Sequence, residues 1–274
     1  MYHVQPITTF DDPVLIPYRT MRRYVEHKEQ GIFVAEGEKV VRRLLESSFT
    51  IVSVLLPPRW VEPLRSLLDA RLEDFLVYVA EKELLETLTG YSMYQGLLAV
   101  GKIPALPALG EILEKSPTPR FFVAVDGLTS ADNLGVVVRN CAAFGVQGLL
   151  LSETSTSPYL RRAVRSSMGT IFKLPIVQVE NLPKALFELQ GHGVRCVAAH
   201  PHVEGRTLYR ATLSGDCCIV LGSEGAGIAA EVLNACDEAV AVPMQLGVDS
   251  LNVGSAAAVF LYEAARQRRP KDQW

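Results

Sequence analysis

The sequence lacks an excess of basic charge, a long apolar run and, in its first residues, the pattern of a signal peptide. Its formal net charge is −3 over 274 residues, so no overall basic field indicates a polyanionic partner. None of its apolar runs approaches the length that crosses a bilayer. The opening residues, MYHVQPITTFDDP, do not show the charged-then-apolar pattern of a signal peptide. We therefore expect a cytoplasmic protein without a membrane partner.

Cysteines are few and are not arranged as metal ligands. There are five of them, at positions 141, 196, 217, 218 and 236, and no pair has the C-x-x-C spacing. Most lie inside apolar runs, where a free cysteine behaves as a small hydrophobic residue. This pattern argues against a zinc site and against a disulfide framework, so we expect no metal.

The sequence also has no glycine fingerprint for a nucleotide. The loop LGSEGAGI, residues 221–228, spaces its glycines as G-x-x-G-x-G, whereas dinucleotide-binding loops use G-x-G-x-x-G and P-loops end in G-K-[ST]. A nicotinamide-dependent enzyme is therefore a weak alternative. Glu224 could simply stabilise the start of a helix, but the glycines around it indicate close approach of the backbone to a ligand.

Two α/β domains are expected from the order of the patterns. Residues 1–101 alternate short helical and strand patterns, and the proline-rich residues 102–119 are typical of a linker around one short helix. Residues 120–274 contain continuous apolar runs such as FFVAV and CCIVLG. Such runs indicate a mostly parallel sheet that is covered on both faces.

The stretch DNLGVVVRNCAAFG, residues 132–145, predicts a helix with an unusual cation. Asn133 is a suitable N-cap and Gly145 a suitable stop, while Arg139 interrupts an otherwise apolar run. Arginine keeps its charge inside a protein and must find a partner or water. Its helix neighbours are the small residues Gly135, Ala142 and Ala143, which indicates that something else needs the space.

Three polar, glycine-rich segments follow predicted strands of the second domain, where open α/β sheets bind ligands. The first contains N-x-G-x-x-x-R and A-A-F-G, the second G-x-E-G-x-G, and the third, residues 243–258, contains P-M, G, S-L-N-V and A-A-A. In this order they resemble the SpoU/TrmH branch of the SPOUT RNA methyltransferases, across about residues 120–268. The stretch GIFVAEGEKVVRRLL is similar to the ribosomal-protein-like substrate domain that often precedes this catalytic domain.

The resemblance implies an α/β fold with a deep trefoil knot in the C-terminal domain, a homodimer formed through helices of the knot region, and S-adenosylmethionine as cofactor. It also implies an RNA substrate, with ribosomal RNA favoured and tRNA open. The implied cofactor-binding residues are Ala199, Leu221, Gly222, Val242, Pro243, Met244 and Leu251. The implied catalytic residues are Asn133, Arg139, Glu224, Ser250 and Asn252.

The expected reaction transfers a methyl group to a ribose 2′-hydroxyl. Because an arginine is an unsuitable free base, we expect Arg139 to bind the neighbouring phosphate and orient the hydroxyl. Glu224, Ser250 and Asn252 are expected to hold Arg139 and the ribose. The chain departs from the family pattern in two places, with Ser130 and Ala131 in the first segment and Gly254 where a serine is usual.

Clustered arginines are candidate contacts for RNA phosphates, because the guanidinium group binds phosphate through two parallel hydrogen bonds. The alternative is an ordinary solvated helix face paired with neighbouring glutamates. Two further alternatives concern function: an inactive RNA-binding or assembly protein with the same fold, and methylation of a base instead of a ribose. The arginines in question are Arg22, Arg23, Arg42, Arg43, Arg161, Arg162 and Arg165.

Overall fold

A computed structural model describes residues 1–89, 96–203 and 206–269 of the chain. The strands are β1 (Tyr2–Pro6), β2 (Ile32–Glu36), β3 (Ile51–Leu56), β4 (Phe75–Val79), β5 (Leu98–Lys102), β6 (Phe121–Val125), β7 (Gly148–Leu151), β8 (Ile176–Gln178), β9 (Arg195–Ala199), β10 (Cys217–Leu221) and β11 (Glu238–Val240). The helices are α1 (Ile16–Arg19), α2 (Tyr24–Glu29), α3 (Glu38–Leu45), α4 (Val61–Asp69), α5 (Lys82–Thr89), α6 (Leu109–Lys115), α7 (Ala131–Ala143), α8 (Arg161–Ser166), α9 (Leu182–Gly191), α10 (Ala230–Asn234) and α11 (Val253–Arg268). Short 3-10 turns cover Pro13–Leu15, Pro58–Trp60, Thr170–Phe172 and Leu208–Arg210.

The chain forms two compact units. The first unit comprises Met1–Ala105 and Ser157–Phe172, and the second comprises Leu106–Thr156 and Lys173–Trp274. No helix within the described residues is both long and apolar enough to span a membrane.

The first unit is built on a five-stranded mixed sheet in the order β1-β4-β3-β5-β2. Strands β1, β4 and β3 run parallel, and β5 runs antiparallel to both β3 and β2. Its apolar core includes Tyr18, Val34, Leu55 and Val100. The strand β1 was not expected from the sequence. The Arg- and Glu-rich pattern of residues 17–30 predicts one helix, which the structure divides into α1 and α2. The pattern EKELLETLTG predicts another helix, whose last residue, Gly90, lies outside the described residues.

A later part of the chain completes the first unit. Glu36, on the buried strand β2, is 5% exposed and accepts charged hydrogen bonds from Arg161 and from Arg165, the latter at 3.1 Å. The Phe33 ring lies 5.6 Å from the ring of Tyr159 and 5.7 Å from that of Phe172. Packing of these aromatic rings, together with the ion pairs of Arg161 and Arg165 with the buried Glu36, holds residues 157–172 to β2.

The expected domain boundaries differ from this division in two places. Residues 157–172 lie in the first unit, although the sequence suggested one continuous domain over 120–274. Residues 106–119 belong to the second unit, because α6 buries Leu109, Ile112 and Leu113 in its core. Only a short part of the predicted linker, residues 102–105, therefore remains with the first unit.

The second unit contains a six-stranded sheet in the order β11-β9-β10-β6-β7-β8, and all its pairs are parallel. The apolar runs FFVAV, GLLLS, PIVQV, RCVAA, CCIVLG and AVAVP predict six strands in this domain, and the structure confirms them. Strands β6 and β10 are buried along their whole length, as expected when helices cover both faces. The carboxyl ends of the parallel strands therefore open at one edge of the sheet.

The five cysteines are free thiols, and four of them are buried. Burial raises the pKa of Cys141 and Cys218 well above the usual range for a thiol, and raises that of Cys236 to about 12. These thiols stay protonated at neutral pH and act as small packing residues.

Candidate active site

Four loops meet at the carboxyl edge of the parallel sheet. They follow β6, β9, β10 and β11, and they carry the three glycine-rich segments of the sequence. Three of the five predicted catalytic side chains come together there. These are Asn133 from α7, Glu224 from the loop after β10, and Asn252 at the start of α11.

The glutamate is the centre of this cluster. Its Oε1 accepts a hydrogen bond from Asn133 Nδ2 at 2.5 Å and another from Asn252 Nδ2 at 2.6 Å. Asn252 Nδ2 also lies 3.2 Å from Asn133 Oδ1. Because hydrogen bonds to a carboxylate acceptor are short and strong, these contacts fix the start of α7, the loop after β10 and the start of α11 relative to one another. We refer to Asn133, Glu224 and Asn252 as the amide–carboxylate cluster.

The side-chain amide nitrogens of Asn133 and Asn252 are both free to donate to Glu224, because neither is used to cap a helix. Ser130, instead of the expected Asn133, is the N-cap of α7, and its hydroxyl accepts from the backbone N–H of Asn133. Asn252 caps α11 by accepting from the Gly254 N–H at 2.9 Å through Oδ1, which leaves its Nδ2 for the cluster. Ser130, one of the departures from the family pattern, thus performs a capping role.

A cavity of about 460 Å³ lies beside the cluster. Its walls include six of the seven predicted cofactor residues together with Glu224, Ser250 and Asn252. Pro243 is the exception: it stands between two lining residues and does not itself line the cavity. The six are Ala199, Leu221, Gly222, Val242, Met244 and Leu251.

Arg139 is not held as the sequence suggested. Within the described residues its side chain has no hydrogen bond and no ion pair, it is exposed, and it does not line the cavity. Arg139 follows Asn133 by six residues, which places it about 120° around α7 and about 9 Å along it. Within this chain, Glu224, Ser250 and Asn252 therefore do not hold Arg139, contrary to the expectation. Glu224 and Asn252 instead bind Asn133 and each other.

The loop that carries Glu224 folds back on itself. Ser223 and Gly227 exchange two backbone hydrogen bonds, at 2.9 and 3.1 Å. A Cβ on Gly222 would lie 2.2 Å from the carbonyl carbon of Gly227 and 2.4 Å from the Ile228 nitrogen. Only glycine permits this contact, so Gly222 determines the path of the cavity wall.

The second departure from the family pattern also has a neighbour that explains it. A Cβ on Gly254 would approach Cγ1 of Val136 to 2.6 Å. Asn140 donates from Nδ2 to the Gly254 carbonyl at 2.7 Å. The first turn of α11 therefore lies directly against α7, and the missing side chain at 254 provides the room.

Several residues that support the site were missed from the sequence. Asp126 is 8% exposed and accepts through Oδ2 from the Ala229 N–H at 2.8 Å, which secures the loop after β10. Ser152 and Ser155 accept from the N–H groups of Gly127 and Leu128 and so secure the loop after β6. Polar residues directly after buried strands were the available signal.

The arginines proposed to bind phosphate have different environments. Arg43 donates to the Met168 carbonyl at 2.7 Å, and Arg161 and Arg165 pair with Glu36. Arg42 pairs with Glu38 at 3.0 Å, while the exposed Arg23 pairs with Glu26 at 3.1 Å. Arg22 and Arg162 are exposed.

Comparison with known proteins identifies the family to which the chain belongs. The model of the SpoU rRNA Methylase family matches residues 120–262, which is more than half of the chain. The chain belongs to the SpoU rRNA methylase family. This match spans the amide–carboxylate cluster and all the residues that line the cavity.

Individual relatives of this SpoU methylase agree in sequence and in fold. The 23S rRNA (guanosine-2'-O-)-methyltransferase RlmB of Shewanella oneidensis is 34% identical over 196 residues, covering 70% of this chain and 79% of that protein. An uncharacterized tRNA/rRNA methyltransferase of Mycobacterium tuberculosis is 30% identical over 271 residues, which cover 96% of this chain and 92% of that protein. The rRNA methyltransferase of Sinorhizobium meliloti superposes with a TM-score of 0.84 at 25% identity, covering 97% and 99% of the two chains.

The sequence-based prediction of an RNA methyltransferase that uses S-adenosylmethionine is confirmed by family membership. The cavity suits this cofactor. Its volume lies within the range of small-molecule sites, its walls offer apolar side chains for an adenine ring, and Glu224 provides a carboxylate for a cationic ligand.

Proposed function

We propose that this SpoU methylase transfers a methyl group from S-adenosylmethionine to a ribose 2′-hydroxyl of ribosomal RNA. The observation that carries the proposal is the convergence of Asn133, Glu224 and Asn252 beside the cavity, within the segment that matches the family. The related Shewanella enzyme, named for 2'-O methylation of guanosine in 23S rRNA, supports the choice of a ribose and of rRNA.

When bound, the cofactor supplies a sulfonium methyl group that needs an oxygen nucleophile in line with it. Binding falls to Ala199, Leu221, Gly222, Val242, Met244 and Leu251, which line the cavity. Glu224, Ser250 and Asn252 lie on the same wall and orient the ribose, while Asn133 acts through Glu224. Holding both reactants in this way lowers the activation free energy, because their translational and rotational entropy is already lost on binding.

Arg139 takes the phosphate role in this proposal. Its exposed guanidinium, which has no partner among the described residues, offers a planar set of donors that fits a phosphate of the RNA backbone. Bound there, the cation fixes the neighbouring ribose and stabilises negative charge that develops on its oxygen.

A homodimer and a knotted C-terminal chain path are part of the proposal. Helices α7 and α11 expose Val136, Val259 and Tyr262, which are 37%, 38% and 48% exposed, and Tyr262 packs edge-on against Phe144 at 6.3 Å. This apolar strip supports dimer formation through α7 and α11. After the edge strand β11, the chain returns to pack α11 against α7 and β10, a return that supports a threaded path.

The first unit is proposed to bind the RNA substrate, with Arg22, Arg23, Arg42, Arg162 and Arg165 as candidate phosphate contacts. Arg43 and Arg161 are half-buried and bonded within the unit, so we do not retain them. The ion pairs of Arg23, Arg42 and Arg165 with glutamates would have to open for a phosphate to bind. A substrate in rRNA implies a reaction in the cytoplasm, the compartment that we propose.

The function is tested by methyl transfer from radiolabelled S-adenosylmethionine to rRNA and tRNA isolated from cells that lack the gene. Alkali cleaves RNA by attack of the free 2′-hydroxyl, so a label on the ribose oxygen is recovered in alkali-resistant dinucleotides. A label on a base is released in mononucleotides and contradicts the ribose assignment. Preferred transfer to tRNA contradicts the rRNA assignment, and cofactor binding without any transfer identifies an inactive RNA-binding protein.

A further inference from the structure

A short segment next to the cavity has exposed side chains that the mechanism does not use. It comprises Arg206, Tyr209 and Arg210, around the 3-10 turn Leu208–Arg210. All three side chains are exposed, and Tyr209 is 66% exposed. We refer to these three residues as the 206–210 platform.

The backbone places the platform beside the strand end that leads into the cavity wall. His200 N–H donates to the Val240 carbonyl at 3.0 Å, whereas Ala241 N–H donates to the Arg206 carbonyl at 2.9 Å. The carbonyl and the N–H of one peptide group point in opposite directions. His200 and Arg206 therefore flank the end of β11 on opposite edges, about 10 Å apart at the spacing of paired strands. The next residue, Val242, lines the cavity.

The platform is fixed to the sheet. The Leu208 N–H donates to the Ala241 carbonyl at 2.8 Å, and the Leu208 side chain is 5% exposed. Beyond the turn, Gln267 of α11 donates to the Ala211 carbonyl at 2.9 Å and accepts from the Leu213 N–H at 2.7 Å. The exposed side chains therefore project from a rigid backbone, which reduces the entropy that a ligand must overcome on binding.

The exposed groups suit a single-stranded nucleotide. The Arg210 guanidinium lies 5.4 Å from the centroid of the Tyr209 ring, and bases stack on aromatic rings and on arginine planes. Among the described residues, the Arg206 side chain has no hydrogen bond or ion pair, which leaves its donors for a phosphate. Residues 200–210 contain two arginines and one carboxylate, Glu204, which lies outside the described residues.

Two histidines connect the platform to the cavity. His200 and His202 both line the cavity, with their rings edge to face at 5.9 Å. These rings and the platform flank the same strand end, and Val242, the residue after Ala241 of that strand end, lines the cavity. The platform therefore lies next to the cavity wall.

We propose that Tyr209 and Arg210 stack on an unpaired base near the methylated nucleotide and that Arg206 binds an adjoining phosphate. The proposal rests on the proposed function, because it concerns the RNA substrate of the same site. It assigns to the second unit a contact that selects single-stranded RNA over a duplex, because the base faces of a duplex are already stacked.

The test compares binding of the full-length protein to a fluorescein-labelled oligouridylate of about 12 nucleotides, a length within common single-strand site sizes. Tyr209→Ala should weaken binding by about fivefold to one-hundredfold, the range for loss of one base–aromatic stack, and Tyr209→Phe should retain it. Arg206→Ala should reduce the slope of log affinity against log salt by about 0.7, as expected for one single-strand phosphate contact.

Helix α9 offers matched controls in the same unit. Phe187 is an aromatic residue that is 59% exposed, and Lys184 is an exposed cation three residues before it. Phe187→Ala and Lys184→Ala should leave the affinity and the salt slope unchanged. Calorimetric titration with S-adenosylmethionine should give wild-type affinity for every variant, which shows that the cavity remains intact.

The outcomes separate this proposal from the proposed function. If the wild-type protein methylates rRNA but Tyr209→Ala binds the oligouridylate as Phe187→Ala does, the platform is overturned and the methyltransferase function stands. A wild-type protein that does not bind the oligouridylate, or an equal loss on an RNA duplex, also overturns it. Loss confined to the single strand, with Tyr209→Phe intact, supports it whether or not rRNA proves to be the methyl acceptor.

Discussion

At the scale of single residues, the amide of Asn252 explains how the site is assembled. Its oxygen caps α11 and its nitrogen donates to Glu224, so one side chain both starts a helix and joins two loops. This arrangement also fixes which end of the amide is which, because only the nitrogen can donate to a carboxylate. A substitution that removes the Asn252 amide would therefore remove both the cap of α11 and a hydrogen bond of the amide–carboxylate cluster.

Arg139→Ala should reduce methyl transfer by about 100-fold or more, the effect expected when one group that stabilises developing charge is lost. Binding of S-adenosylmethionine should be nearly unchanged, because Arg139 does not line the cavity. Steady-state transfer assays and calorimetric titration measure the two quantities, with Lys184→Ala as the control for removal of an exposed cation. A parallel loss of cofactor affinity would contradict the phosphate role.

His27 makes the stability of the first unit depend on pH. It is 4% exposed, and burial lowers its pKa below the ordinary value of 6.5, despite a hydrogen bond to the Pro17 carbonyl. As pH falls below about 6.5, the unfolded imidazole gains a proton before the folded one does. The free energy of unfolding should therefore decrease between pH 7 and pH 5.

Urea unfolding at several pH values tests this prediction. His27→Gln should remove part of the decrease, whereas His3→Gln, at an exposed position in the same unit, should leave it in place. Equal pH dependence in wild type and His27→Gln would show that other groups cause the decrease.

At the scale of elements, the glycine that begins the loop after β10 is the most restrictive position. Gly222→Ala should push residues 223–228 away from their hairpin contact and cost about 1–3 kcal/mol of stability, as overpacking usually does. Cofactor affinity should fall with it because this loop is a cavity wall.

Gly215→Ala is the matched control, since a Cβ there meets no atom within 4 Å. It should change stability by less than about 0.5 kcal/mol. Thermal unfolding and calorimetric titration compare the two variants, and equal behaviour would show that the loop relaxes freely.

The strands and loops of the second unit could be predicted from the sequence, because continuous apolar strands and end-of-strand motifs are local patterns. The motifs identified Asn133, Glu224 and Asn252 without any knowledge of their contacts. The position of Arg139 was misjudged because a motif gives spacing along the chain, and six residues of helix rotate the side chain away from Asn133. Residues 157–172 were misassigned for a related reason: apolar and charged positions predict burial but do not say against which surface.

At the scale of the whole molecule, the chain passes between the two units three times, near residues 105, 156 and 172. The catalytic segment of the sequence is therefore not a separable piece. A fragment of residues 106–274 would expose Tyr159, Val164, Ile171 and Phe172, which the intact chain buries.

We expect this fragment to aggregate or to unfold at a lower temperature than the full chain, and co-expression with residues 1–105 to restore solubility. Size-exclusion chromatography and thermal unfolding provide the measurements. A monodisperse fragment with full-chain stability and cofactor affinity would contradict the prediction.

The contact between Gly254 and Val136 has an evolutionary consequence. Since a Cβ at 254 would lie 2.6 Å from Val136 Cγ1, the two positions cannot both enlarge without moving α11 from α7. Family members with serine at the position of Gly254 should therefore carry a side chain smaller than valine at the position of Val136. Glycine at 254 and valine at 136 would then be a compensated pair, and the two positions should covary in an alignment of the family.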